Sequence, residues 1–168
     1  FDGQRVQLDE LHRFPNGAVN IGGTLRWDVL RLWADIQNGL SAAATKFGSA
    51  IASVGVDTWG VDYVLLTKTN EMLGAPYHYR DARSRGMLNH ALTKVPRGDI
   101  FAATGLQFME INTLYQLLAM SQSNADLMRL VDVFLMMPDF VNWLLCGSRV
   151  VEFTNATTTQ CFDATKRT

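Results

Sequence analysis

The chain has 168 residues, a formal net charge of -1, 48% hydrophobic and 18% charged residues. That is room for one domain or one lobe of a larger enzyme, and the composition excludes an intrinsically disordered chain. The near-zero charge argues against a nucleic-acid surface or a polybasic membrane patch, no apolar run approaches the roughly 20 residues of a membrane span, and no signal peptide is visible.

In chain order, residues 5–14 alternate loosely and predict a strand, ended by Pro15-Asn16-Gly17. Gly22-Gly23 reads as loop. Thr24 is placed as the cap of a helix to about Phe47, with Val29, Trp33, Ile36, Leu40, Ala43 and Phe47 on one face and Gly48 as its stop. Residues 51–56 predict a short buried strand, 61–66 a second, and a third runs into Pro76-Tyr77-His78-Tyr79. Helices are expected over 84–94, 96–103, 113–123, 125–130 and 138–146, with a short strand at 150–153. Strands first and helices later indicate an α/β sheet with a helical elaboration. Asp2-Gly3 is a hairpin-turn dipeptide with almost nothing before it. The chain starts without Met and ends on a polar tail, and a fragment is expected.

Three polar clusters carry the possible chemistry. Asp57-Thr58-Trp59-Gly60-Val61-Asp62 follows a predicted strand, where ligands of open α/β sheets sit. Gly60 would let a ligand approach the backbone closely, and Trp59 is suited to stack on a sugar. The alternative is a tight turn with an exposed aspartate and a core tryptophan. In Tyr79-Arg80-Asp81-Ala82-Arg83-Ser84, a carboxylate flanked by two guanidiniums offers fixed acceptors for a polyol. A salt-bridged helix start capped by Ser84 is the other reading. Asn112, after Thr104-Gly105-Leu106-Gln107, offers a donor and an acceptor, or caps a helix. The hydroxyl-rich stretch 152–160 is by default a surface loop. His12, His78 and His90 lack metal-ligand spacing and suit solvated or packing roles. Cys146 and Cys161 read as reduced thiols, in keeping with a cytoplasmic protein. Residues 135–137 and 140–143 read as core. Walker, nucleophile-elbow and dinucleotide fingerprints are missing from the sequence.

Taken in this order, Val54-Gly55-Val56-Asp57-Thr58-Trp59-Gly60-Val61-Asp62, the Tyr-Arg-Asp-x-Arg segment at 79–83, Thr104-Gly105-Leu106-Gln107-Phe108, Asn112-Thr113-Leu114-Tyr115-Gln116-Leu117, Met137-Pro138-Asp139 and the stretch 152–160 resemble the FGGY carbohydrate kinases. The resemblance covers nearly the whole chain. It implies a ribonuclease-H-like lobe of the actin and hexokinase type, a mixed β-sheet with flanking helices, with residues 1–168 as part of the N-terminal domain. It implies ATP- and Mg2+-dependent phosphorylation of L-rhamnulose or a similar ketose at a hydroxyl, in L-rhamnose catabolism. Gly60 and its neighbour Trp59 are implied in sugar contact, with Asp62, Arg80, Asp81 and Asn112 in the same pocket. Many relatives carry a polar side chain at the position of Gly60; glycine there leaves room for the sugar, and Gly60→Arg is expected to fill the site while leaving the fold intact. The phosphate loop is expected before Phe1, and the catalytic aspartate with the C-terminal lobe beyond Thr168. The fragment alone is therefore expected to be inactive, to hold neither nucleotide nor metal, and to expose sheet edges along the strands at 5–14 and 51–56. Kinases for fuculose, xylulose or glycerol, and a non-catalytic sugar binder of the same fold, are the alternatives.

Overall fold

Two glycines make the first departure from these expectations. In the computed structural model, which describes residues 3–168, Gly22 and Gly23 both have positive φ, 58° and 83°. Paired positive φ is what a two-residue hairpin turn needs. The turn joins β1 (Ala18–Ile21) to β2 (Thr24–Trp27), antiparallel with Ala18 opposite Trp27 and Ile21 opposite Thr24. The Asn20 side chain accepts the Gly23 N–H at 3.0 Å. The expected helix start at Thr24 is therefore corrected: residues 24–27 are a strand. The outer edge of β2 is held by 76–78, with Trp27 N–H donating to Pro76 O at 2.8 Å and His78 N–H to Leu25 O at 3.0 Å. The third expected strand is present there as a single bridge, Arg26 to Tyr77. Asp2 of the predicted turn lies outside the described residues.

The chain divides into two compact units. The first, 1–17 with 28–55, is built on α1 (Val29–Phe47). Asp28 accepts the Arg31 N–H at its start, and Gly48 at φ 51° ends it. Along α1 run His12 and Asp9: His12 Nε2 is 3.6 Å from Asp35 Oδ1, and Lys46 Nζ is 2.8 Å from Asp9 Oδ2. The expected strands at 5–14 and 51–56 do not form. Residues 4–10 and 48–55 are all exposed and neither segment pairs in a ladder. Alternating sequence gives a strand only where a neighbouring backbone supplies hydrogen bonds.

The second unit, 18–27 with 56–168, holds the core. Its centre is β3 (Tyr63–Leu66), every residue buried, paired antiparallel with β4 (Val133–Met136). Expectation placed residues 135–137 in the core, and Leu135, Met136 and Met137 are among its most buried side chains; that Leu135 and Met136 belong to a strand was missed. Tyr63, Leu65, Met120 and Met136 pack together, flanked by Leu117, Leu127 and Phe134. Of the helices, α4 (Thr113–Ser123) matches its expected span, and α3 (Arg97–Thr104) and α6 (Met137–Cys146) match within a residue. Gly105 and Gly147, both at positive φ, end α3 and α6. The helix expected from 84 splits, because Gly86 takes φ 77° between a single turn at 82–84 and α2 (Met87–Leu92). Residues 125–128 form α5 (Ala125–Met128). The expected strand at 150–153 is replaced by the entry to α7 (Phe153–Ala156), whose N-cap Glu152 accepts the Thr154 and Asn155 N–H groups. Among the described residues no helix is long and apolar enough to cross a membrane.

Candidate sugar-binding site

The site is built on one strained turn. Val61 has φ 66°, and Asp62 N–H donates to Gly60 O at 2.9 Å across it. A β-branched residue pays a steric cost at positive φ, so its surroundings must hold it there. They do so on both sides. Val61 N–H donates to Thr158 Oγ1 at 3.2 Å, and Val61 O accepts Thr113 Oγ1 at 2.7 Å and Gln116 Nε2 at 3.2 Å.

Beneath the turn lies Asp62, fully buried. Its Oδ2 accepts Trp27 Nε1 at 2.6 Å, Trp59 Nε1 at 3.0 Å and Tyr79 N–H at 3.3 Å, and its Oδ1 accepts Gln116 Nε2 at 3.1 Å. Burial pushes the carboxyl above its ordinary range, opposed by the hydrogen bonds from Trp27, Gln116 and Trp59. The carboxylate ties together the β1–β2 hairpin, the 57–62 turn, the 76–79 segment and α4. The aromatic rings follow it: Trp27 packs on Trp59 at 4.3 Å and stacks on His78 at 4.2 Å. His78 is buried, its Nδ1 accepts Arg80 N–H at 3.0 Å, and burial lowers its pKa, so it packs as expected of it.

Asp81 is likewise buried and used within the chain. Its Oδ2 accepts Leu25 N–H at 2.7 Å and its Oδ1 accepts Arg83 N–H at 3.0 Å. Of the two expected guanidiniums, Arg83 forms the ion pair with it, at 3.9 Å. Arg83 also donates to Gln116 O and Oε1 at 2.7 Å each, and lies over the Tyr77 ring. Arg80 is exposed and points over Tyr79. Asp81, not Ser84, caps the turn that follows.

The structure thus separates the six expected site residues into two sets. Trp59, Gly60, Arg80 and Asn112 line one hollow of about 500 Å³, together with Tyr79, Gln107 and Thr158. Asp62 and Asp81 do not line it; they lie in the scaffold. Asn112 is buried, donates through Nδ2 to Gln107 O at 2.8 Å and Gln160 Oε1 at 2.9 Å, and keeps its Oδ1 without a partner. It also sits at the N-cap of α4, without a side-chain capping bond. A second hollow of about 380 Å³ shares Trp59, Gly60 and Thr158 with the first, and is lined further by Asp57, Asp139 and Asn155.

Gly60 has no positive φ, so its backbone suits any residue. A Cβ there would lie 2.8 Å from Thr158 Oγ1 and 3.1 Å from Thr158 Cβ and Cγ2. A side chain at position 60 therefore meets Thr158 first: even its first carbon requires Thr158 to shift. What approaches Gly60 on that side is a neighbour in the chain. Three contributors escaped the sequence reading. Trp27 was placed inside a helix, Gln116 is one polar residue on a buried helix, and Thr158 stands in a stretch read as surface loop; only its hydroxyl-rich composition hinted at more.

The model of the FGGY family of carbohydrate kinases, N-terminal domain, matches residues 10–168. A rhamnulokinase of Oceanobacillus iheyensis is 40% identical over 160 residues, 95% of this chain and 34% of that protein. A rhamnulokinase of Pectobacterium atrosepticum is 42% identical over 165 residues, 98% of this chain and 33% of that protein. The chain spans about a third of the length of these curated relatives. Among solved structures, the ligand-bound xylulose kinase of Lactobacillus acidophilus superimposes with a TM-score of 0.81 at 16% identity, over 91% of this chain and 31% of that one. The Plasmodium falciparum glycerol kinase with ADP gives 0.77 at 18% identity, over 92% of this chain and 33% of that one. These likenesses carry the fold, an α/β lobe of the actin and hexokinase type. With its family model matched over nearly all its length, the chain belongs to the FGGY family of carbohydrate kinases.

Proposed function

We propose that this chain is the sugar-binding lobe of an ATP-dependent kinase that phosphorylates L-rhamnulose to L-rhamnulose 1-phosphate. The observation that carries the reading is the convergence of Trp59-Gly60, Arg80 and Asn112, from three separate stretches of the sequence, on one hollow. Arg80 and the Gln107 amide bring donors, and Trp59 and Tyr79 bring aromatic faces. That mixture suits a polyhydroxylated ligand with one apolar edge. The choice of L-rhamnulose is supported by the relatives named rhamnulokinase.

On this reading the chain's own residues bind and orient the sugar, and Asp62 and Asp81 position the walls. Asp62 is fully buried and does not line the hollow, so it is not assigned as the base for a sugar hydroxyl. The catalytic aspartate is assigned to a second lobe beyond Thr168, and the phosphate loop to sequence before Phe1. ATP supplies the phosphoryl group, and Mg2+ offsets its charge, in the complete protein. Among the described residues no group of three His, Cys, Asp or Glu is placed to hold a metal ion, so no role toward Mg2+ is assigned to this chain. The complete protein is proposed to be cytoplasmic, in keeping with two unpaired cysteines.

The test is ATP- and Mg2+-dependent ADP release by the complete protein with L-rhamnulose, L-fuculose, xylulose and glycerol. Preference for L-rhamnulose is expected. Activity only with another sugar overturns the substrate and keeps the kinase; no turnover from a folded protein favours a non-catalytic sugar binder.

A further inference from the structure

Two hollows meet at Gly60, and one side chain from the far end of the chain stands between them. We propose that Thr158 is a specificity-determining residue, setting the wall of the sugar site at Gly60. The specificity role rests on the sugar-site reading above; the packing of the pair does not.

Positions 60 and 158 compete for one volume. A Cβ on Gly60 meets three Thr158 atoms at 2.8–3.1 Å, although the Gly60 backbone itself suits any residue. Thr158 has little freedom to withdraw. Its hydroxyl donates to Asn155 O at 2.8 Å and accepts Val61 N–H at 3.2 Å. Both of its roles are therefore taken, and turning it away releases the N–H of a residue held at φ 66°. The side chain is half-buried and lines both hollows. The wall that residue 60 does not build is thus built by residue 158. Its methyl and hydroxyl fix how closely the carbon chain of a ketose passes the turn, and its bond to Val61 fixes where the turn stands. The two contributions separate by substitution. Thr158→Ala removes bulk and bond, and Thr158→Val keeps the bulk and removes the bond.

The experiment uses the complete protein, with thermal unfolding and steady-state kinetics for L-rhamnulose and L-fuculose. Gly60→Ala is expected to lower Tm by several degrees, roughly 3–8 °C. The same change in a Thr158→Ala background is expected to cost much less, because the clash partner is gone. Thr158→Ala is expected to change the ratio of kcat/KM between the two sugars by about tenfold or more, the scale of one methyl-sized contact, mainly through KM. Thr158→Val is expected to keep that ratio while lowering Tm. Additive Tm effects of Gly60→Ala and Thr158→Ala would overturn the shared-volume pair. An unchanged sugar ratio in Thr158→Ala overturns the specificity role. If the unsubstituted protein turns over no sugar, the kinase reading fails and the specificity role falls with it, while the unfolding comparison still decides the pair.

Discussion

The floor and the wall of the site use polar groups in opposite ways. In the floor, Asp62 is fully buried and each of its oxygens accepts N–H groups from other elements. In the wall, Arg80 is exposed and Asn112 keeps an oxygen without a partner. A satisfied buried network fixes position and has no bonding capacity left for a ligand. An exposed guanidinium such as that of Arg80 keeps that capacity. Asp62 and Asp81 therefore lie outside the hollow that Trp59, Gly60, Arg80 and Asn112 line, and substitutions in the two regions are expected to fail differently.

The largest effect is expected in the floor. Asp62→Ala strands the Trp27, Trp59 and Tyr79 N–H groups and should cost about 3–5 kcal/mol in urea unfolding, at about 1–3 kcal/mol for each buried donor left unpaired. A loss below about 1 kcal/mol would mean that Asp62 does not organise the site. Arg80→Ala should do the reverse. Sugar affinity of the complete protein, read by calorimetry, falls about tenfold, the value of one lost hydrogen bond to a charged group, with Tm unchanged. A fall in Tm with intact affinity would move Arg80 into the scaffold.

Asp139, which lines the second hollow, gives a pH test. It is buried with Oδ2 unpartnered, and burial raises its pKa from the ordinary 3.8. Its contribution to stability is therefore greatest below pH 3.8 and falls as pH rises through the raised value. Asp139→Asn should be more stable than the parent at pH 7 and indistinguishable from it once the carboxyl is protonated in both folded and unfolded chains; equal stability at both pH values would contradict the shift. The smallest effect is expected in the first unit. Leu8 is 89% exposed, and Leu8→Ser should change unfolding free energy by less than about 0.5 kcal/mol.

Local signals carried the helices. The ends of α3 and α6 are legible because a glycine in the left-handed region, or proline in a first turn, acts within a few residues. Strands were legible only in part. Val61-to-Leu66 was placed correctly apart from its first two residues, which the turn takes. The segments 5–14 and 51–56 carry strand-like sequence and join neither sheet among the described residues, and β4 was seen as core without its pairing. The Gly22-Gly23 hairpin was readable in principle, since two glycines between short alternating runs are a hairpin signal.

For the site, the sequence by itself determined its neighbourhoods: motifs at 57–62, 79–84 and 112 and their order carry the family, and residue identity suffices for that. Which members of those motifs line the hollow was settled only by the tertiary structure. Asp62 and Arg80 look equally suited to a polyol until burial and hydrogen bonds divide them. Gly60 looks like open space until Thr158, 98 positions later, fills the place of its missing Cβ. Contacts between residues so distant in sequence are set by how β3, α4 and the 154–159 turn pack, and packing is a property of the whole unit rather than of any window of the chain.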